Sequence, residues 1–399
     1  MKRIILAFCL LAHAFIMAQS LEFSALADNY NMSVRAIQIW QNKVYYAATD
    51  SKFGYIHLKE PTIRKQMKLS DANLQFRTLA QTDDLFYTVN IESPATFYKI
   101  TKSTFTAEEV FTDTIKTAFY DAFMFDEKGR GLAISDPRKE GKPHFRIISS
   151  KNYKNEGGIM PKYQEGEAHF AASNTNIAMK GNTVWIATGG TVSRIFKFNW
   201  DKPYFWNVYN TPFVNGKSST GIYSIDFYDE KFGIAVGGDY TQQSDNVNNI
   251  ATTSDGGKTW LIQASGKNGG YKTCVKIRPK SKGKDIIAVG DQNIEFSSDY
   301  GKTWKTISQE KNLYVCEWID EDSLVFAGKN RILKAMGMDK PTELDVEVGD
   351  QVNITSGAFE NFVATITEID YSKSKIKGVV DMFGRETAIE ADFDQIEKI

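Results

Sequence analysis

One pattern recurs seven times down the middle of this chain: an alternating strand, a short polar turn, and an apolar strand that ends in small residues. The second strands fall at 44–49, 85–89, 131–135, 184–189, 233–237, 286–290 and 324–328, so their last positions are 40, 46, 54, 48, 53 and 38 residues apart. No amphipathic helix intervenes. Strand-only repeats of this length leave few solutions, because a lone four-stranded blade exposes both faces and both edges. Arranged radially, each face covers its neighbour and only short edges remain. The repeat therefore predicts an all-β fold, a seven-bladed β-propeller over residues 19–335. The last copy offers three strands, near 313–320, 323–328 and 331–335. Residues 20–29 precede the first copy, and we expect them to supply the fourth and clasp the ring.

Charge divides the chain in two. Overall, 48 Lys and Arg balance 49 Asp and Glu for a formal net charge of −1, which gives no general pull on nucleic acid or an anionic membrane. Residues 340–399, however, hold 13 acids and 6 bases, a net of −7. The 42% hydrophobic and 24% charged fractions are those of a globular protein, which excludes disorder and a polytopic membrane protein. Lys2 and Arg3 open the chain, residues 4–17 are apolar except for His13, and Ala18 offers a small residue. That is the pattern of a secretory signal over 1–18, with Gln19 first in a secreted or periplasmic protein. Cys9 follows bulky Phe8, which does not suit a lipoprotein site. Beyond 18 only Cys274 and Cys316 remain; a disulfide and two buried thiols both stay open.

Two repeats carry a turn signature, S/T-x-D-x-G-x-T-W, at 253–260 and 297–304. We expect Asp255 and Asp299 to accept backbone N–H bonds, Gly257 and Gly301 to take positive φ, and Trp260 and Trp304 to pack between blades. On these residues the stretch from about 20 to 335 resembles secreted bacterial propellers of the BNR, or Asp-box, and photosystem-assembly-factor-like group, often labelled oxidoreductases. The stretches at 166–173, 188–190 and 237–240 fit the same group. The resemblance implies a seven-bladed ring with a scaffold-like role.

Catalytic signatures are sparse. Phe145-Arg146-Ile147-Ile148 is superficially similar to the F/Y-R-I-P signature of sialidases but lacks the Pro. An exported glycosidase is thus the third reading, against an ordinary strand arginine. No dinucleotide fingerprint, P-loop, G-x-S-x-G elbow or haem-attachment motif occurs. His57, His144 and His169 fit no zinc spacing, and no cofactor or metal is expected. One constellation stands out. Asp50, Asp136, Asp239 and Asp291 each follow the second strand of a repeat, and blade geometry places them on one rim with Glu167 and His169. They are the candidate ligand or partner surface, against the alternative that each Asp bonds its own turn.

The acidic tail reads as five short strands at 351–355, 362–370, 375–381, 386–391 and 393–396. They suit a small SH3-like barrel over 344–399 behind a linker at 336–343. Residues 348–352, 357–362, 382–385 and 393–397 resemble the C-terminal KOW domain of NusG, a bacterial transcription elongation factor. The resemblance implies contact with a small-subunit ribosomal protein or termination factor Rho through Phe359, Phe362, Met382, Phe383 and Arg385. Ala358, Ala364 and Gly378 depart from the family pattern. An exported ring and a cytosolic transcription module imply a composite chain joined near 334–338. Function then rests either on the ring as an exported, non-enzymatic binding scaffold or on the tail as a cytoplasmic partner-recruiting module.

Overall fold

A computed structural model describes residues 21–149, 152–154, 161–337, 346–370, 375–382 and 384–399. The expected signal segment, most of the expected linker and Phe383 lie outside the described residues.

Among the described residues, seven four-stranded antiparallel units follow one another, with the long strand Glu22–Trp40 shared between the first and the last. In the third, Tyr120–Phe125, Arg130–Arg138, Lys142–Ser149 and Asn152–Lys154 pair in sequence order. The sixth repeats this order with Cys274–Ile277, Ile286–Val289, Ile294–Ser297 and Lys305–Ser308. Each predicted apolar stretch is the second strand of its unit, where side chains on both faces are covered. Leu132, Ile134, Val184, Ile234, Ile286 and Leu324 are fully buried.

The faces pack as the edge argument requires. Separate apolar clusters join the first unit to the second, the second to the third, and onward through the sixth. A further cluster ties the sixth and seventh to the first through Ile287, Val315, Phe326, Ile37 and Tyr46. The chain is therefore a propeller whose last unit meets its first. The seventh unit combines Leu313–Trp318 with the two legs of Ser323–Met336 and with residues 22–28 of the long strand Glu22–Trp40. Residues 22–28 pair with 331–336, running from Glu22 opposite Met336 to Asp28 opposite Arg331. Past a register break between Asp28 and Ser33, the same strand becomes the innermost strand of the first unit. One element thus belongs to both ends of the repeat. Leu26 and Ala27 are buried in it, Leu21 is buried just ahead of it, and the ring centres of Phe23 and Phe326 are 6.0 Å apart.

The tail forms a five-stranded antiparallel sheet around a core of its own, including Val352, Ile354, Ile366, Ile376 and Val380. One expected strand is corrected. Phe393–Gln395 is a 3-10 turn, and the terminal strand is Ile396–Lys398. A capping box causes the turn: the Gln395 side-chain oxygen accepts the Asp392 N–H while the Asp392 side chain caps the Gln395 backbone. Such reciprocal capping satisfies N–H groups that a strand would need to pair. The departures from the KOW pattern also find local reasons. Ala364 is a fully buried strand residue without positive φ, so no glycine is needed there. Gly378 faces a bulge between Ile366 and Glu368, where a Cβ would meet the Thr365 carbonyl at 2.8 Å.

Candidate functional site at one end of the channel

The innermost strands all run the same way, so their beginnings converge at one end of the central channel. The second strands run back, so their ends arrive at that same end. The register shows it directly: Ser135 pairs with Tyr120, and Asp239 pairs with Thr220. Asp50, Asp136, Asp239 and Asp291 therefore share one end of the ring. Inside, a cavity of about 350 Å3 is bordered by residues that include Gln38, Asn174, Asp226, Lys276, Cys316 and Glu317.

The acidic residues gathered there are mostly engaged. Asp239 accepts the Thr241 N–H and hydroxyl at 2.9 and 2.6 Å and meets Lys217 at 3.4 Å. Although burial opposes it, these donors hold its carboxyl down at about 2. Glu167 is buried in a two-point ion pair with Arg194, at 2.9 and 2.5 Å, and also accepts the Thr188 hydroxyl. Asp291 accepts from Gln243 at 3.2 Å, and Asp50 is half-exposed beside Lys52 at 3.5 Å. His169 is fully enclosed: its Nδ1–H donates to the Ala187 carbonyl and its Nε2 accepts the Tyr163 hydroxyl. Burial lowers its pKa to about 4, so it stays neutral. Its backbone N–H donates to Asp136 at 3.0 Å, while burial raises the Asp136 carboxyl to about 6.

Three residues outside the expected set complete this end. Arg35 lies over the Tyr314 ring at 3.9 Å and donates to the Ala172 carbonyl at 3.0 Å. Arg77 donates to the Ala171 carbonyl and to Gln75. Both are half-buried, and among the described residues neither closes an ion pair. Burial and the Arg35 charge lower the Arg77 pKa to about 10. The third residue, Asp121, is wholly buried, and no hydrogen bond reaches either of its carboxyl oxygens. Burial first, and the Asp136 charge second, push its pKa well above the usual range, so Asp121 does not neutralise Arg77, which leaves Glu92 as the other acid acting on that guanidinium. Tyr223 and Tyr271 stand edge to face, with ring centres 4.9 Å apart, on the opposite wall. The sequence did carry a signal for the arginines: Arg35 interrupts an apolar, alternating innermost strand (Val34-Arg35-Ala36-Ile37), and Arg77 interrupts the apolar approach to another (Phe76-Arg77-Thr78-Leu79, ahead of Ala80–Gln81).

The two signature turns lie away from this end. Asp255 accepts the Lys258 and Thr259 N–H groups, Gly257 has φ 84°, and the Trp260 indole donates to the Gly257 carbonyl. Asp299, Gly301 and Trp304 repeat the arrangement. Trp260 belongs to the cluster between the fourth and fifth units, and Trp304 packs against the next one. A second cavity, of about 580 Å3, opens between the two turns. Arg146 of the sialidase-like stretch is held by Asp113 at 2.9 Å, and that carboxylate also binds His144. In the tail, Phe359, Phe362 and Met382 pack part-buried against its core, and Arg385 is exposed at the end of the same sheet. Continuing the Ala364–Val380 register places Phe362 opposite Met382, so these residues share one end.

Comparison with known proteins separates the two parts. No family model matches the chain. Over 69 residues it is 52% identical to the transcription termination/antitermination protein NusG of Bacillus subtilis (strain 168) and 55% identical to that of Staphylococcus carnosus (strain TM300). The match takes in 17% of this chain and 39% and 38% of those proteins, so the chain spans well under half of their length. Among solved structures, YCF48 bound to D1 peptide superposes with a TM-score of 0.55 at 11% identity, covering 80% of this chain and 97% of the other. U3-55K superposes at 0.54 with 9% identity, covering 79% and 98%. These likenesses show the propeller fold.

Proposed function

We propose that the ring is an exported, non-enzymatic binding scaffold, and that its ligand is a carboxylate-bearing peptide segment seated at the channel end lined by Arg35 and Arg77. One observation carries the reading: two guanidinium groups share an entrance and, among the described residues, neither closes an ion pair, with Asp291 and Glu92 acting on them only from a distance. Like charges held together in a partly desolvated site repel. A carboxylate relieves that repulsion and takes the paired donors in the geometry arginine favours. Tyr314, stacked beneath Arg35, fixes one donor fork and offers an apolar shelf beside it. That YCF48 is a propeller bound to a peptide makes a peptide the natural class to test. The assay is binding to an array of synthetic acidic peptides and their amidated counterparts. We expect retention of free-carboxylate peptides and at least ~10-fold weaker binding by the Arg35→Gln/Arg77→Gln double variant. Unchanged binding by that variant, or no retained peptide, refutes the reading.

A second reading rests on the tail: the chain is 52% identical to NusG over a 69-residue segment, which suits a partner-recruiting module in transcription. Co-purification with small ribosomal subunits or Rho, lost on Phe383→Ala, is its expected signature. Mature protein beginning at Gln19 outside the cytoplasm supports the first reading instead.

A further inference from the structure

The two cysteines that follow residue 18 meet at the seam between the sixth and seventh units. Cys274 opens the innermost strand of the sixth, Cys274–Ile277, and Cys316 lies in that of the seventh, Leu313–Trp318. Their sulfurs are 3.9 Å apart, and both side chains are fully buried within one apolar cluster. The seam is pinned on both sides of the pair. The Thr273 hydroxyl donates to the Tyr314 carbonyl at 2.6 Å, and Lys276 meets Glu317 at 2.5 Å. Two adjacent strands are therefore locked in register at the level where the sulfurs face each other.

We propose that Cys274 and Cys316 are an oxidisable pair that forms a disulfide stapling the sixth unit to the seventh. The sulfurs have to close from 3.9 Å to a bonded ~2.05 Å. Two sulfurs alone do not make a metal site, and no third ligand joins them among the described residues. Cys316 borders the channel cavity of about 350 Å3, which admits a small peroxide. Cys274 lies behind it, its sulfur 3.7 Å from the Cys316 carbonyl. Burial pushes its thiol up, but the Cys316 S–H donor and the Lys276 charge outweigh burial and hold it below the ordinary value. Burial and Cys274 itself push Cys316 well above its own.

The step balances with hydrogen peroxide as oxidant. The thiolate of one cysteine attacks one peroxide oxygen, the O–O bond breaks, and hydroxide leaves and is protonated to water. The sulfenic acid so formed is attacked by the other cysteine's sulfur, the S–O bond breaks, and a second water departs with that thiol's proton. Two thiols lose two electrons and the peroxide gains them.

The staple would close a 42-residue separation between neighbouring units, and it sits two residues beyond Tyr314, the ring that carries Arg35. The test uses the full chain, treated with hydrogen peroxide, then unfolded, alkylated and mapped by mass spectrometry without reduction. A tryptic peptide linking Cys274 to Cys316 is expected, absent after dithiothreitol and absent in Cys274→Ser and Cys316→Ser. The oxidised chain should melt higher by on the order of 5 °C, and neither single variant should show that rise. Full alkylation of both residues after peroxide overturns the proposal, as does sulfinic acid on one with the other still free. A linked peptide with an unchanged midpoint overturns the staple.

Discussion

If the strand ahead of the first repeat holds the circle shut, a cavity made in it should weaken the whole ring. Leu26→Ala is the cleanest perturbation. Leu26 is 4% exposed and lies at the register break between Ala25, opposite Leu333, and Ala27, opposite Ile332. It belongs to the cluster that joins the sixth, seventh and first units. Deleting a buried leucine side chain to Cβ costs ~2–5 kcal/mol, transfer and cavity terms together. A typical domain has only ~5–15 kcal/mol to lose, so the change should be plain. Urea unfolding followed by tryptophan fluorescence is the assay. We expect one cooperative transition displaced to lower urea by ~3 kcal/mol with its slope unchanged. Ile63→Ala, at a side chain that is 45% exposed, is the control and should stay within ~0.5 kcal/mol of the parent. If Leu26→Ala also stays within that margin, the strand contributes nothing to closure and the clasp argument fails. The tail has a separate core and no tryptophan, so its own transition, followed by far-UV circular dichroism, should not move in either variant.

Two further outcomes follow from the channel end. The folded ring raises the Asp136 carboxyl from 3.8 to about 6, so the native state binds that proton more tightly than the unfolded chain. The associated stability is present below pH ~4 and is lost as pH rises through about 6, a difference of ~3 kcal/mol. Urea midpoints measured between those limits should fall with pH for the parent. The slope should flatten in Asp136→Asn, which still accepts the His169 N–H; Asp121 is shifted the same way and leaves a residual slope. A variant as steep as the parent would contradict this. Glu167→Gln, by contrast, strands the Arg194 charge in a site where its side chain is only 10% exposed. Thermal unfolding should show a loss of ~3–5 kcal/mol, and a loss below ~1 kcal/mol would mean the pair carries little.

What could be read in the sequence and what could not divides along one physical line. A second strand such as 184–189 is covered on both faces, so it must be continuously apolar, and seven such runs reveal the elements and their order. The turns at Asp255 and Asp299 are equally plain because a carboxylate, a left-handed glycine and an indole sit at fixed local spacing. The tail strand at 393–396 was misread because alternation is weak evidence over four residues. Asp392 and Gln395, the capping pair that makes the turn, look like ordinary surface polar residues. The channel end is harder, since a ring assembles it from one or two residues per unit, tens of residues apart. Arg35, Arg77, Asp121 and Tyr314 share no local motif. Each is an odd polar or aromatic residue on an innermost strand or, for Arg77, just ahead of one, and only the parallel run of those strands brings them to one entrance. The four Asp residues after the second strands were easier to find because they sit in turns, where polarity is conspicuous. For the same reason most are engaged by their own turns or by neighbouring loops. In a fold of this kind, a charge that breaks the pattern of an innermost strand is therefore a better pointer to a site than a charge in a turn. The strand had nothing local to gain from it, whereas the turn did.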